Sequence, residues 1–491
     1  MSDIVSTFLA FACWDHHTHG KGDHLMQDRA AQRILAQHPD IAQHDLYTAI
    51  VCGNREEVQR ILEKNPDAAR EAGGPREWTP LLYLCFTRFT HPPTIESAVE
   101  IARLLLDRGA NPNDSYMAGD ATYSALVGVA GEGEQDSPRQ PYAETLYGLL
   151  LDRGAEPYDV QVLYNTHFSS DMVWWLEPTY RYTTSHGAKK HWDDPSWPMF
   201  DMGGYGLGAF FVLNSALERN NVTLAEWALT HGARPTAQNS SNPKFKPPHT
   251  LYEVALLRGQ TQMAELFRQY GAAPVASTLH PEEAFVAACM QLARPVAEEI
   301  VQRHPECLRS RVAIFEAAKH DRADAIALML DLGVPIDLEN RHRARALHEA
   351  AGRNALAAAA VLVERGAEID PKDAAHDSTP LGWAAHFFHV PMLDFLSRHS
   401  RDVWTLAFCG YVDRLRDVLR DEPGLATQLK GGITPLWWLP DDESKATEVV
   451  ELLLAAGADP AMKDGEGRTA ADWARKRGMT DIARRLDAAA V

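Results

Sequence analysis

Short apolar stripes at helical spacing alternate with glycine-ended turns along most of this chain. In the clearest unit, Leu347, Ala350 and Ala351 fall at positions i, i+3 and i+4, which share one face of a helix. A second stripe begins at Leu356, and Gly366 follows it where a helix end needs a left-handed residue. Helices this short are marginal alone because nucleation is costly. The pattern therefore predicts helix pairs that stack on copies of themselves.

The endings and openings of this unit recur, so we expect an array of repeats. Glycine endings stand at Gly109, Gly154, Gly232, Gly271, Gly333, Gly366 and Gly457. Proline endings stand at Pro39, Pro66, Pro305 and Pro423, and Thr-Pro-Leu openings begin at Thr79, Thr379 and Thr434. The step from Gly333 to Gly366 is 33 residues. Together these signals predict roughly eleven or twelve helix–turn–helix units from residue 28 onward.

Two stretches carry a resemblance to a known family. Residues 347–351 (LHEAA) and 366–370 (GAEID) match the Leu-His-x-Ala-Ala and Gly-Ala-x-Ile/Val-Asn/Asp patterns of ankyrin repeats. The unit resembles an ankyrin repeat, although Arg345-Ala346 replaces the usual Thr-Pro. The resemblance implies an all-α ankyrin-repeat solenoid over more than three-quarters of the chain. It also implies a concave face, formed by the turns and first helices, on which family members bind partners.

Composition divides the chain into four predicted regions. Residues 1–27 form an N-terminal segment or cap, 28–160 and 207–491 hold the repeats, with a C-terminal cap at the end, and 161–206 form an aromatic-rich insertion. The insertion contains ten of the 42 aromatic residues, whereas disordered linkers are poor in aromatics. We therefore expect it to be folded and packed onto the repeats. The Gly/Pro-rich stretch 128–142 is expected to split the two helices of one repeat.

The charge balance bears on the kind of partner. Acidic residues outnumber basic ones by 67 to 48, which gives the 491-residue chain a formal net charge of −19. Nucleic acids and anionic membranes require basic surfaces, so neither is an expected partner. A protein partner with a basic surface or a cationic ligand is favoured instead. No run of about 18 apolar residues occurs in the sequence, so no membrane span is predicted.

The cysteines and the N-terminus predict a cytoplasmic protein. The six cysteines are scattered without a Cys-x-x-Cys pair, and most fall in helical patterns, where a free thiol behaves as a small apolar group. A reducing compartment suits them best. Asp3 precedes the first apolar run and no Lys or Arg occurs before Lys21, so a signal peptide is not expected.

Motifs that resemble catalytic or metal sites lack the context they need. His16, His17 and His19 lie in a stretch like the His-x-His motif of amidohydrolases, with His24 beyond, but no barrel pattern follows. A looser zinc or nickel site is the alternative, and we predict that no metal is held there. The HEAAG stretch from His348 lacks a zinc protease's second histidine, and no phosphate loop or hydrolase elbow occurs. We therefore predict no cofactor and no enzymatic activity.

The stronger candidates are residues suited to bind a partner, because tryptophan, tyrosine and arginine are common in binding hot spots. At turn and first-helix positions they are Trp78, Tyr83, Arg88, Trp383, His386, Trp437 and Trp438. In the insertion they are Tyr164, Asn165, Trp174, Trp175, His186, His191, Trp192 and Trp197. Glu132 and Glu134 add an acidic edge for a basic partner. For Trp383 and Trp437, packing between repeats is an equally good interpretation.

These observations leave two functional hypotheses. The first is a non-enzymatic cytoplasmic scaffold that binds a protein partner through the concave ankyrin surface and the 161–206 insertion, as the resemblance implies. The second is a small-ligand or catalytic pocket roofed by the insertion, where His167, Lys189 and Lys190 join the candidates as acid, base and anion-binding types. The first hypothesis predicts that a Gly/Ser linker in place of 179–197 leaves the repeats folded and abolishes binding.

Overall fold

Helices make up 61% of the computed structural model, which describes residues 2–16, 24–134, 137–168, 171–236, 250–273 and 279–490. This confirms the predicted all-α class. In the described residues the α-helices are α1 (Ser2–Ala12), α2 (His24–Gln37), α3 (Leu46–Val51), α4 (Arg55–Lys64), α5 (Pro80–Phe86), α6 (Pro92–Asp107), α7 (Ala125–Ala130), α8 (Ala143–Asp152), α9 (Val160–Thr166), α10 (Val173–Ser185), α11 (Lys189–Trp192), α12 (Gly208–Glu218), α13 (Val222–Thr230), α14 (Leu251–Leu257), α15 (Thr261–Gln269), α16 (Pro281–Met290), α17 (Arg294–Arg303), α18 (Ala313–Lys319), α19 (Ala323–Asp331), α20 (Ala346–Gly352), α21 (Leu356–Glu364), α22 (Pro380–His386), α23 (Val390–Ser397), α24 (Val403–Cys409), α25 (Val412–Asp421), α26 (Glu443–Ala455), α27 (Ala470–Lys476) and α28 (Thr480–Ala489).

One β-hairpin and several 3-10 turns complete the described part. The hairpin joins β1 (Ser115–Ala118) to β2 (Ala121–Ser124) in antiparallel register, with Tyr116 opposite Tyr123. The 3-10 helices span Pro39–Gln43, Pro66–Arg70, Gly74–Arg76, Gly203–Tyr205, Pro305–Arg309, Pro423–Thr427 and Pro435–Trp437. No described helix is long and apolar enough to cross a bilayer.

The helices form successive pairs that pack on their neighbours in sequence. The first helices contact one another along the runs α1–α3–α5–α7–α9 and α12–α14–α16–α18–α20–α22–α24. The second helices do the same along α4–α6–α8–α10 and α19–α21–α23. Each short helix therefore buries its apolar stripe against several others, which offsets its weak intrinsic stability.

The predicted helix ends fall where the sequence places them. All seven glycine endings have left-handed φ angles, between 87° and 106°. Each proline ending starts a 3-10 helix directly after a second helix, as Pro66 does after α4 and Pro423 after α25. In the reference unit, α20 and α21 match the two predicted stripes to within about one residue, the usual uncertainty of a helix boundary.

A second left-handed residue lies inside the turn of many pairs, between the first and second helix. Glycine fills it at Gly53, Gly259 and Gly410, where a positive φ has no steric cost. Leu292 and Phe388 occupy the same place with φ angles of 57° and 50°. A bulky residue in this conformation is strained by of order 1 kcal/mol. The two side chains therefore stand in the turn at an energetic cost.

The aromatic-rich segment, predicted as an insertion at 161–206, contains helices that pack on the preceding pairs. Its first half continues the array, because α9 contacts α7 and α10 contacts α8. Gly187 ends α10 with a φ of 83°, so the stretch SHGA is one more glycine ending, parallel to THGA at Gly232. The structure adds only α11 and the irregular chain up to α12 to the repeat pattern.

The two ends of the described chain meet. Arg33 on α2 donates from Nε to the carbonyl of Arg477 at 3.0 Å, and Gln37 donates to the carbonyl of Gly478 at 3.2 Å. Asp441 Oδ1 lies 2.7 Å from Nη2 of Arg477 and 3.5 Å from Nη2 of Arg33. The pair α1/α2 therefore contacts both α3 and the loop between α27 and α28.

Buried apolar side chains form two clusters, one within residues 5–272 and one within 285–486. A polar network spans the junction between them. Arg258 lies 2.7 Å from Glu218 and 3.4 Å from Glu316, and Lys319 forms an ion pair with Glu218. Burial raises the pKa of Glu316, but the bond from His320 and the charges of Lys319 and Arg258 outweigh it and lower that pKa to about 2. These charges fasten α12, α14 and α18 to one another.

Candidate binding groove

Two aromatic residues predicted at the partner surface lie in the core. Trp78 is buried and stacks on Tyr116 of β1, with ring centroids 4.7 Å apart. Tyr83 is also buried, and its hydroxyl donates to the carbonyl of Gly73 at 3.0 Å. Trp78 packs against the hairpin and Tyr83 against Tyr47 of α3 at 5.1 Å, so neither offers an open surface.

Arg88, predicted as a binding residue, is a buried cation held by main-chain oxygens. Its guanidinium donates to the carbonyls of Gly128 at 2.6 Å, Thr87 at 2.9 Å and Cys85 at 3.2 Å, and to Ser137 Oγ at 2.8 Å. Burial lowers the pKa of Arg88 to about 10. The bonds tie α5 to the loop after α7, which makes the side chain a structural brace.

The predicted acidic edge is fastened to α9. The Tyr164 hydroxyl donates to Glu134 Oε1 at 2.9 Å, and Asn165 Nδ2 donates to the carbonyl of Gly131 at 3.2 Å. Glu132 is half-buried and forms a main-chain bridge with a residue later in its own loop, whereas Glu134 is exposed. Burial and the Glu134 carboxylate both raise the pKa of Tyr164. Capture of a basic partner at this edge stays a prediction.

Three tryptophans of the aromatic-rich segment are core residues. Trp175, Trp192 and Trp197 have exposures of 0%, 1% and 0%. The indole N–H of Trp192 donates to Thr183 Oγ1 at 2.9 Å, and its ring meets Trp197 edge to face at 5.1 Å and Trp227 at 6.2 Å. An aromatic ring buries a large apolar area and prefers this geometry, so these rings stabilise the segment itself.

The other predicted residues of this segment reach the surface. Trp174 is half-buried, with the guanidinium of Arg139 4.9 Å from its ring centroid. His186 is exposed, and His191 is half-buried edge-on to Tyr158 at 5.9 Å. A partner is able to reach these three side chains, and their role in binding stays a prediction.

The N-terminal histidines are only partly described. His16 is buried and stacks on Tyr123 of β2 at 5.1 Å. His17 and His19 lie outside the described residues, and the side chain of His24 is not described. Within the part that is described, no three His, Cys, Asp or Glu side chains are placed to hold a metal ion.

Two adjoining cavities, of about 360 and 500 Å³, form a groove near the meeting ends of the chain. The larger lies between α22, α24 and the segment 430–438, and the smaller reaches α1, α2 and α27. Phe408, Ile433 and Trp438 line both. We call these joined cavities the tryptophan groove, because their walls include Trp383, Trp404, Trp437, Trp438 and Trp473.

Helical spacing and capping place the rings of the larger cavity. Trp383 and Phe387 are four residues apart from α22 into its following turn, and Trp404 and Phe408 are four apart on α24, so each pair shares a face. Thr379 caps α22 by accepting a hydrogen bond at its hydroxyl from the N–H of Gly382 at 3.0 Å. The cap fixes the first turn and with it the direction of these side chains.

The consecutive residues Trp437 and Trp438 have different environments, because Trp437 is buried and Trp438 projects into the groove. Trp437 is 6% exposed, whereas Trp438 is 47% exposed and meets Phe408 at a centroid distance of 5.3 Å. Both follow Thr434-Pro-Leu, and the first of them ends a 3-10 turn where the chain changes direction. Trp438 is therefore the projecting ring between the two cavities.

A buried aspartate shapes the turn at the rim of the larger cavity. Asp373 accepts hydrogen bonds from the main-chain N–H of Ser378 at 3.0 Å and of His376 at 3.0 Å, and from the indole of Trp383 at 3.4 Å. Burial raises the pKa of this carboxyl, but these bonds outweigh it and lower the pKa overall. Beneath the turn, His348 Nε2 lies 3.2 Å from the carbonyl of Ser378. The rim is therefore a fixed structure.

Some residues of the tryptophan groove are among the candidates predicted from the sequence, and others are not. Trp383, His386, Trp437 and Trp438 were predicted as candidates, and all four line it. Trp404, Phe408, Phe388 and Lys430 were not. The i, i+4 spacing of Trp404 and Phe408 is a signal in the sequence. Nothing local marks Lys430, because its place depends on a turn more than fifty residues away.

Comparison with known proteins finds likeness among solved structures. No protein-family model matches the chain, and no curated protein matches it. Among solved structures, it is similar to an ankyrin repeat domain from Acinetobacter baumannii AYE, with 25% identity and a TM-score of 0.29. The likeness covers 37% of this chain and 98% of the other. A TM-score this low does not establish a shared fold.

Proposed function

We propose that the chain is an ankyrin-type solenoid and acts as a non-enzymatic cytoplasmic scaffold that binds a protein partner. The tryptophan groove carries the proposal. It is an aromatic-walled channel on the side of the first helices, and its most prominent ring, Trp438, is 47% exposed. Exposed tryptophans in a rigid setting are the type of residue that dominates binding energy.

The form of the groove supports a peptide segment as the bound element. The two cavities adjoin across Trp438 and Phe408, so an extended chain of several residues spans both. Capped helices and a hydrogen-bonded rim hold the walls, which lowers the entropy lost on binding. The net charge of −19 favours partners that are basic overall.

The aromatic-rich segment enters the proposal as a secondary contact. Trp174, His186 and His191 are its accessible candidate residues, while its buried tryptophans brace the fold. The alternative of a pocket roofed by residues 161–206 has less support, since no residue of that segment lines either described cavity. A free small molecule in the groove is the competing outcome, because its volume suits one.

Selection of displayed peptides tests the proposal. A library of random twelve-residue peptides is selected on the full-length protein and counter-selected on a Trp438→Ala variant. We expect peptides that bind the wild type and lose affinity for the variant. If no peptide depends on Trp438, the groove is not a protein-binding surface, and the proposal is wrong.

A further inference from the structure

We infer that the tryptophan groove selects a segment in which a carboxylate stands next to a bulky apolar side chain, and that the carboxylate pairs with Lys430. The inference rests on the proposed function and names the chemistry of the partner at this site. It differs from the expectation of a basic partner, which came from the net charge of the whole chain.

Among the charged side chains of the larger cavity, Lys430 is the one whose charge is available to a ligand. Its ammonium donates to the carbonyl of Asp377 at 2.9 Å and is exposed. Among the residues that the structure describes, no carboxylate lies within 4 Å of it, whereas the neighbouring Lys372 pairs with Asp377 at 3.2 Å. A lysine ammonium has three donors, so Lys430 keeps donor capacity and an unpaired charge at the mouth.

The carboxylates that line the same cavity are already engaged. Asp402 Oδ2 accepts hydrogen bonds from the hydroxyls of Thr379 and Thr405, both at 2.7 Å. Its Oδ1 accepts from the N–H groups of Trp404 and Thr405 at 3.1 and 3.3 Å. Asp377 binds Lys372. A cationic ligand would therefore meet the unpaired charge of Lys430 and no free carboxylate.

The aromatic walls alone fit a cation, since rings attract ammonium groups across their faces. Lys430 at the rim opposes that choice, because like charges repel when a site is partly desolvated. An apolar side chain of the ligand carries no charge to be repelled, and its burial against Trp404 and Trp438 contributes favourable binding free energy. A carboxylate next to that side chain adds an ion pair with Lys430. A ligand with both groups therefore binds the aromatic walls and the lysine at once.

Phe388 supports the apolar half of the inference. It lines the larger cavity from a left-handed φ of 50°, a position that is glycine in other pairs such as α14/α15 and α24/α25. A phenyl ring held there despite backbone strain extends the aromatic wall next to Phe408, at a centroid distance of 6.5 Å. Leu292 has the same strain in the turn between α16 and α17, but it lines neither cavity.

At the groove, nearby charged side chains affect a bound ligand more than the net charge of the whole chain does. Exposed charges separated by more than about 10 Å are largely screened at 0.1 M salt. A ligand carboxylate in the groove therefore responds to the unpaired Lys430 more than to the overall charge of −19. The long-range field and the groove thus favour different charges, and a partner that is basic overall but carries an acidic anchor satisfies both.

The peptides enriched in the selection above test the inference. We expect them to share an aromatic or large aliphatic residue beside Asp or Glu, and amidation of that carboxylate to weaken binding about tenfold, or 1.4 kcal/mol. Lys430→Gln is expected to cause a similar loss and to flatten the dependence of affinity on salt. Lys445→Gln is the matched control, because it removes an exposed lysine of α26 that lines neither cavity.

A charge exchange makes the test decisive. Lys430→Glu is expected to reject the acidic peptides and to bind their Lys-substituted forms better than the wild type does. Trp438-dependent peptides that are neutral or basic, or acidic peptides indifferent to Lys430→Gln, would refute the inference and leave the proposed function standing. Absence of any Trp438-dependent peptide overturns both.

Discussion

The chain has two clusters of tryptophans, and they differ in what surrounds the rings. In the aromatic-rich segment, Trp192 and Trp197 are 1% and 0% exposed and touch Trp227 edge to face. In the tryptophan groove, Trp438 is 47% exposed and borders two cavities. The first cluster finds its aromatic partners within the chain. The second leaves ring surface uncovered.

The comparison separates aromatic density from binding function. Residues 161–206 are the denser stretch in the sequence, yet their buried rings Trp192 and Trp197 pack the chain after α10 against Trp227 of α13. The tryptophans of the groove come from helices and turns spread over nearly a hundred residues, 383–473. An uncovered set of rings held on capped helices is better suited to bind than a dense stretch of sequence.

The largest expected effect distinguishes the clusters by stability. Trp192→Ala removes a buried ring and is expected to lower the free energy of unfolding by about 3–5 kcal/mol. Trp438→Ala is expected to lower it by less than about 1 kcal/mol, because the ring is half exposed. Urea unfolding followed by circular dichroism measures both. Equal losses would remove the distinction between core and groove.

The same reasoning revises the expected outcome of the linker exchange. Residues 179–197 include Thr183, Trp192 and Trp197, all buried. A Gly/Ser linker in their place is now expected to lower the midpoint of unfolding strongly, which contrasts with the intact fold that the sequence suggested. A folded variant with unchanged midpoint would show that these rings contribute little.

The next effect distinguishes the clusters by binding. Trp438→Ala and Trp404→Ala are each expected to weaken a selected peptide by roughly 30-fold, the size of a 2 kcal/mol hot spot. Trp174→Ala, which removes a half-buried ring of the proposed secondary contact, is the comparison and is expected to weaken the peptide much less. Isothermal titration calorimetry gives the three affinities. A comparable loss in Trp174→Ala would make the segment part of the primary site.

A smaller effect concerns the two strained turns. Leu292→Gly is expected to raise stability by roughly 1 kcal/mol, since glycine accepts the left-handed conformation. Phe388→Gly relieves the same strain but loses ring packing, so its net gain is smaller, and it is expected to weaken peptide binding while Leu292→Gly does not. Unchanged binding in both variants would show that Phe388 is not part of the wall.

The smallest effect is a pH dependence beneath the groove rim. Burial lowers the pKa of His348 below its ordinary 6.5, and Nδ1 accepts a hydrogen bond from the N–H of Arg345 at 3.1 Å. The unfolded chain then binds a proton more readily than the folded one, so this contribution is present above pH 6.5 and is lost as the pH falls. Between pH 7 and 5.5 the loss is expected to be at most about 1.3 kcal/mol, the value for a histidine that stays unprotonated in the folded state.

The variant His348→Gln, which does not titrate, is the comparison for this pH effect. Its unfolding midpoint in urea is expected to change less between the two pH values than that of the wild type. An equal change of the urea midpoint with pH in both proteins would show that His348 does not contribute to the pH dependence.

The sequence by itself determined the local structure. Apolar spacing gave the pair α20 and α21, and glycine at Gly366 and Gly457 marked helix ends that need a left-handed residue. Such signals are readable because capping, turn geometry and helical period depend on residues only a few positions apart. The missed ending at Gly187 was equally local and was hidden by the aromatic residues around it.

Only the tertiary structure decided which aromatic residues are covered. Trp192 and Trp438 have similar chemistry, but one is enclosed by Trp197 and Trp227 and the other borders a cavity. The contact of Arg33 with Asp441 and the approach of Lys430 to Asp377 likewise join distant segments. Burial and charge pairing depend on contacts between residues far apart in the chain, and the period of a helix carries no information about those contacts.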